Sequence, residues 1–122
     1  MSATFCVALI LLQLPATAAD PTKGKMVFKK CAACHSLKPG KKKIGPSLHG
    51  VISRKAGTSA GYNYSSAMKK AGKNGLVWTE EALDQYLKAP RKFVPGNRMP
   101  FPGLKKETQR SNVIAYLKSV AK

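Results

Sequence analysis

The residues with the clearest chemical potential are two cysteines and a histidine, in the run Cys31-Ala32-Ala33-Cys34-His35. This spacing is typical of the attachment site of a c-type haem. Two thiols three positions apart on a helical turn lie on one side of it, so they can add to the two vinyl groups of one porphyrin. The histidine then lies under the ring, where an imidazole nitrogen can bind the iron. The motif predicts one covalent haem c.

Three other interpretations of these residues have to be weighed. A structural zinc site needs four ligands, and adjacent side chains such as Cys34 and His35 can hardly both reach one tetrahedral ion. A thioredoxin-like redox pair needs a βαβ setting, which the sequence does not indicate. A chance match of the motif is the third interpretation. Export of the chain, inferred below, argues against chance because c-type haem is attached in the exported compartment.

A second iron ligand must come from the remaining side chains of suitable chemistry, with a lysine as the alternative at high pH. The neutral candidates are Met26, Met68, Met99 and His49. Met99 is favoured because it lies in a rigid stretch bounded by Pro95 and Pro100, where a methionine is poor core material. The other two methionines lie on predicted helices, where flexible core filling explains them. We expect His49 to order its own glycine- and proline-rich loop.

The elements that must position these residues are predicted to be helices. Asp20 and Pro21 are suited to begin one, and Thr79, followed by Glu80 and Glu81, is suited to cap another. Gly24 inside the first helix predicts close contact with another helix. No alternating strand pattern occurs, so the predicted class is all-α, with glycine- and proline-rich loops around one haem. The predicted helices run from Pro21 to about Lys30, from Tyr64 to Lys70, from the N-cap Thr79 to the break at Pro90, and from about Thr108 to Ala121.

The charge is strongly one-sided. In 122 residues, 22 Lys and Arg oppose 5 Asp and Glu, a formal net charge of +17. Such a surface favours nucleic acid, an anionic membrane or an acidic protein face. We find no groove-reading motif or aromatic-interleaved basic run, so nucleic acid is not expected.

The N-terminal segment carries none of this charge. Residues 1–19 combine an apolar run with the small residues Ala16 to Ala19, which predicts a signal peptide cleaved close to Ala18 or Ala19. The segment is too short to span a bilayer, which takes about 20 residues. The predicted organisation is therefore a signal peptide over 1–19 and one periplasmic domain over 20–122.

The order of several motifs along the chain resembles that of class I cytochromes c, especially mitochondrial cytochrome c and bacterial cytochromes of the c-2 type. The resemblance extends from Lys23 to Lys118. It rests on the haem motif, the segments Gly45 to Gly50 and Pro95 to Met99, and on Trp78, Tyr116 and Leu117. Two features depart from the mitochondrial pattern. Met68 stands where that pattern has an asparagine of a buried polar network, and the stretch from Lys69 to Val77 is about three residues longer.

The resemblance implies a role for each matching residue. Cys31 and Cys34 would form the thioethers, while His35 and Met99 would bind the iron. The Pro46 carbonyl would accept a hydrogen bond from His35, and Tyr86 would lie beside the methionine sulfur. The positions that match residues on the propionate side of the haem are Arg54, Tyr64, Trp78 and Asn97.

The function implied is that of a soluble, monomeric one-electron carrier without a stable membrane anchor. Its partners would be the acidic faces of membrane redox complexes, a cytochrome bc-type donor and a photosynthetic reaction centre or terminal oxidase as acceptor. An enzyme or gas sensor with a c-type haem is the alternative, and it requires that Met99 not bind or be easily displaced. The lysines expected around the exposed haem edge are Lys29, Lys30, Lys43, Lys92, Lys105 and Lys106.

Overall fold

The computed structural model describes residues 18–122, so the predicted signal peptide lies outside the described residues except at its last two positions. Five helices occur in this range, and its only extended pairing is an isolated antiparallel bridge between Lys55 and Val77. The predicted all-α class is therefore confirmed. The helices are α1 (Pro21–Phe28), α2 (Ser66–Lys73), α3 (Glu80–Lys88), α4 (Pro90–Phe93) and α5 (Glu107–Val120).

The contact between α1 and α5 joins the two ends of the domain. Gly24 is buried, and a Cβ atom at this position would overlap the carbonyl oxygen of Asn112. The side chain of Asn112 in turn accepts a hydrogen bond of 2.8 Å from the backbone N–H of Asp20. Phe28 and Tyr116 pack beside this crossing with ring centroids 5.5 Å apart. The close helix contact predicted from Gly24 is confirmed.

Capping residues explain where the helices begin. The Asp20 carboxylate accepts hydrogen bonds from the first N–H groups of α1, and the Thr79 hydroxyl caps α3 as predicted. The predicted start of α2 at Tyr64 was wrong. The helix begins at Ser66 because the Ser65 hydroxyl accepts a hydrogen bond of 3.0 Å from the backbone N–H of Met68. An N-cap hydroxyl of this kind satisfies a donor that has no partner inside the helix.

Pro90 ends the third helix as predicted, because α3 stops at Lys88 with Ala89 as its C-cap, and Pro90 then begins the short helix α4. Proline suits a first helical position, where no N–H is needed and its φ angle is already helical. After α4 the chain runs without regular structure through Met99 to α5. No helix within residues 18–122 is long and apolar enough to cross a membrane.

Candidate haem site

A single turn of backbone orients the motif residues. The carbonyl oxygen of Cys31 accepts hydrogen bonds from the N–H groups of Cys34 (3.0 Å) and His35 (2.9 Å). This is the geometry of a helical turn that continues from α1, and it brings the two cysteines to one side of the chain. Cys34 and His35 line a cavity, whereas Cys31 is partly buried against the hydrophobic core beside it. Burial, and then the neighbouring Cys34, raises the pKa of the Cys31 thiol.

The cavity holds about 830 Å³ of space, including the part open to solvent. Cofactor sites in proteins are mostly apolar with a few placed polar groups. Leu48, Val51 and Leu83 supply apolar walls here. The sequence-predicted residues that line this cavity are Cys34, His35, Pro46, Arg54, Tyr64, Trp78, Tyr86, Asn97 and Met99.

The imidazole of His35 has a fixed orientation. Its Nδ1 atom lies 2.8 Å from the carbonyl oxygen of Pro46, and because a carbonyl can only accept, Nδ1 carries the proton. The lone pair is then on Nε2, which suits a neutral metal ligand. Burial lowers the pKa of His35, with partial opposition from the hydrogen bond to Pro46, so the ring favours its neutral form.

Met99 lies on the cavity wall with two of its atoms constrained. Its backbone N–H donates to Oδ1 of Asn97 at 2.8 Å, and its sulfur lies 3.9 Å from the Tyr86 hydroxyl, which can donate to it. Burial, with a contribution from Tyr62, raises the pKa of Tyr86 to about 12. This phenol therefore stays protonated, and remains a donor to the thioether, across the neutral range.

The other candidates for a second iron ligand are arranged differently. Met26 is 60% exposed on α1, and neither it nor His49 lines the cavity. Met68 does line it and is buried on α2. Two methionines therefore line the cavity, and of these Met99 has a tyrosine hydroxyl beside its sulfur.

Two donors on the cavity wall suit the carboxylates of a haem. Arg54 uses Nη1 to donate to the carbonyl oxygens of Ser47 (3.0 Å) and His49 (2.9 Å), but its buried Nε has no hydrogen-bond partner. Burial lowers the pKa of Arg54. The Tyr64 hydroxyl accepts from the backbone N–H of Ser59 at 3.0 Å, which leaves its own proton to donate. An unpaired buried donor is costly unless it meets an acceptor, so these residues fit a group that brings carboxylates.

Asn97 and Lys43 have contacts that the sequence did not predict. The Asn97 side-chain NH₂ donates to the carbonyl oxygens of Pro90 (2.9 Å) and Val94 (2.8 Å), so both of its hydrogens are used within the loop. Asn97 therefore lines the cavity and also braces the segment that carries Met99. Lys43 donates to the carbonyl oxygen of Ala32 at 2.6 Å and so ties two loops together.

Sequence reasoning missed several residues of the cavity wall. Tyr62 donates to the carbonyl oxygen of Ile44 at 3.2 Å, and Arg98 donates to that of Asn63 at 3.3 Å. The alternation of Tyr62 with Tyr64 and the position of Arg98 next to Met99 were the available signals. The lining residues not predicted are Ile44, Gly45, Leu48, Val51, Tyr62, Ser65, Leu83, Arg98 and Pro100.

The zinc alternative is not supported by the geometry. Within residues 18–122, no three His, Cys, Asp or Glu side chains are grouped so that they could hold a metal ion. A haem iron needs only the axial ligands from the protein, because the porphyrin supplies the other four. His35 and the thioethers of the cavity therefore fit a haem and not a tetrahedral ion.

Comparison with known proteins agrees with this geometry. The family model described as Cytochrome c matches residues 21–121. The chain belongs to the cytochrome c family. The cytochromes c2 of Agrobacterium tumefaciens (strain II Chrys) and Rhodoblastus acidophilus are each 52% identical to it, over 80% and 82% of this chain and 89% and 92% of theirs. The solved cytochrome c2 from Rhodospirillum centenum is 43% identical and covers 85% of this chain and 100% of its own, with a TM-score of 0.78.

Membership of this family confirms three predictions made from the sequence. The resemblance to class I cytochromes c of the c-2 type is confirmed. The cofactor is one covalent haem c, and Cys31 and Cys34 lie in the attachment motif. Members of the cytochrome c family are electron-transfer proteins and not enzymes.

Proposed function

We propose that this cytochrome c is a periplasmic one-electron carrier whose iron is bound by His35 and Met99. The observation that carries the proposal is that both residues line one cavity, where each side chain has a hydrogen-bonding partner. The Pro46 carbonyl orients the imidazole, and the Tyr86 hydroxyl lies beside the thioether sulfur. The cytochromes c2 reported above support the same role through their similarity to this chain.

The residues of the cavity would adapt the cofactor to electron transfer. When bound, the haem supplies an iron that gains and loses one electron. Two protein ligands leave no open position for oxygen or peroxide, which favours outer-sphere transfer over catalysis. A soft thioether in an apolar pocket stabilises the ferrous state and raises the reduction potential. Arg54 and Tyr64 would hold the propionates at the cavity wall.

The distribution of charge supports docking to acidic partners. None of the side chains that line the cavity is a carboxylate, whereas four of the five acidic residues of the chain line a separate groove between α3 and α5. Complementary charge speeds encounter and weakens with salt, which suits a carrier that must also leave quickly. The lysines proposed to contact a cytochrome bc-type donor, and a reaction centre or oxidase as acceptor, are Lys29, Lys30, Lys43, Lys92, Lys105 and Lys106.

A redox titration of the haem-loaded protein, combined with its ferric spectrum, tests the proposal. We expect one reversible one-electron transition and the weak far-red band of a thioether bound to ferric iron. A high-spin ferric spectrum without that band, with rapid reaction toward peroxide, would instead support a haem enzyme or sensor. The export part is tested separately, by locating the protein in fractionated cells.

A further inference from the structure

The groove between α3 and α5 concentrates the negative charge of this cytochrome. It is lined by Glu80, Glu81, Asp84 and Glu107, and by Ala19 at the start of the domain. Since the chain carries only five acidic residues against 22 basic ones, most of its carboxylates lie in this one place. We call these four residues, together with Ala19, the acidic groove.

Two carboxylates of the acidic groove already have cationic partners. Asp84 pairs with Arg110 at 2.7 Å, and Glu80 pairs with Lys118 at 3.2 Å. Glu81 and Glu107 form no ion pair with any residue between 18 and 122. Both lie in the first turn of a helix, where the helix dipole favours negative charge. They remain solvent-exposed carboxylates beside the segment through which the chain enters the domain.

That entry point is fixed by Asp20. Its backbone N–H donates to Asn112 on α5, and its carboxylate accepts from the N–H groups of Thr22 and Lys23. Ala19 precedes this anchor directly, which explains why it borders the groove. The sequence Ala16-Thr17-Ala18 just before it has the A-x-A form that signal peptidases cleave.

We propose that the signal peptide, or leader, is cleaved off at the peptide bond between Ala18 and Ala19. The mature chain then begins with an ammonium group on Ala19, which the acidic groove stabilises. Hydrolysis by a signal peptidase adds one water across this peptide bond. The carboxyl group stays on Ala18 in the leader, and the amine on Ala19 takes up a proton. The inference rests on the export part of the proposed function and is independent of the iron ligands.

The alternative cut, after Ala19, fits the structure less well. It would place the ammonium on Asp20, at the N-terminus of α1, where the helix dipole disfavours positive charge. Asp20 is not among the residues that line the acidic groove, so an ammonium on it would lie outside the groove. A cut after Ala18 places the charge on Ala19, which lines the acidic groove, and leaves the hydrogen bond from Asp20 to Asn112 unchanged.

The test uses the complete precursor, produced in a bacterial host that attaches haem c. Intact mass and N-terminal sequencing should identify Ala19 as the first residue. The pKa of the α-amino group, measured by competitive labelling against pH, should then lie above its ordinary value, because the nearby carboxylates favour the charged form. A raised value is diagnostic because the other charges of a +17 chain act to lower it.

The variant Glu81→Gln/Glu107→Gln should return the α-amino pKa to its ordinary range or below. Its control, Ser66→Lys/Asn74→Lys, adds the same net charge at the two ends of α2, which packs against neither α3 nor α5. This control should leave most of the increase in the α-amino pKa unchanged. A first residue other than Ala19, or an α-amino pKa that responds equally to both double variants, overturns the inference. A precursor that is not cleaved overturns the export proposal as well, while the ferric spectrum tests the carrier function independently.

Discussion

His35 and Pro46 are joined through a hydrogen bond of 2.8 Å between the ring Nδ1 and the backbone carbonyl oxygen. Gly45, the residue before Pro46, also packs against the imidazole of His35. A Cβ atom at Gly45 would come 2.5 Å from Cε1 of this ring. The loop therefore contacts the ring twice, once through a directional bond and once through close packing. Both contacts restrict the direction in which Nε2 presents its lone pair.

Gly45→Ala should move the imidazole and thereby change the reduction potential. The added methyl group overlaps the ring, so we expect a loss of about 1–3 kcal/mol of stability as well. Chemical denaturation and a redox titration measure the two effects. Gly40→Ala is the control, because its Cβ meets nothing within 4 Å although its φ of +66° makes alanine cost about 1–2 kcal/mol. An unchanged potential in Gly45→Ala would show that the loop does not position the ring.

Met99→Ala should retain the covalent haem but lower the reduction potential and remove the far-red band of the ferric spectrum. The reason is that the thioether with the Tyr86 hydroxyl beside it is lost, while the cysteines are untouched. Met68→Ala provides the more stringent of two controls, because Met68 lines the same cavity. It should lose about 2–5 kcal/mol of stability and keep the band. Met26→Ala, at an exposed site, should change neither the stability nor the far-red band. Loss of the band in Met68→Ala alone would reassign the ligand.

Gly24→Ala should destabilise the protein even though alanine favours helix formation over glycine by about 1 kcal/mol. Its Cβ would overlap the backbone of Asn112, so α1 and α5 must separate. We expect a net loss of about 1–3 kcal/mol by chemical denaturation of the haem-loaded protein. Lys25→Ala, at the exposed neighbouring position, should change stability by less than about 0.5 kcal/mol. A stabilised Gly24→Ala variant would contradict the close helix contact.

Much of this site was predictable because its residues carry strong local signals. The haem motif, the Gly24 contact and the caps at Asp20 and Thr79 each follow from the chemistry of one or a few side chains. The missed features depend on partners far along the chain. Nothing in the sequence near Asn97 indicates that its amide donates to the carbonyls of Pro90 and Val94. Those two oxygens come within reach of the amide only when the chain folds into α4.

The loops around Lys43 and Tyr62 were unpredictable for the same reason. Each side chain donates to a backbone carbonyl at least 11 positions away, Lys43 to Ala32 and Tyr62 to Ile44. In a sequence with 22 basic residues, one lysine that braces a loop cannot be told from those that face solvent. Lys43 is therefore left out of the docking variants below, since changing it would also disturb the segment that holds the cysteines.

Charge reversal of lysines near the Met99 loop should slow electron transfer more than the same reversal elsewhere. The variant Lys92→Glu/Lys105→Glu/Lys106→Glu removes exposed cations at the proposed docking face, so we expect the second-order rate with a cytochrome bc-type complex at low salt to fall about ten-fold or more. The salt dependence of that rate should weaken as well, because fewer charges attract the partner.

The matched control is Lys69→Glu/Lys70→Glu/Lys73→Glu on α2, which changes the net charge by the same amount and involves three equally exposed lysines. Stopped-flow measurements over a range of ionic strength should show a small effect for this control and a large one for the docking variant. If both triple variants slow the reaction equally, the net charge alone sets the rate and no docking face exists. If only the α2 variant slows it, the partner binds at α2, and the docking lysines have to be reassigned.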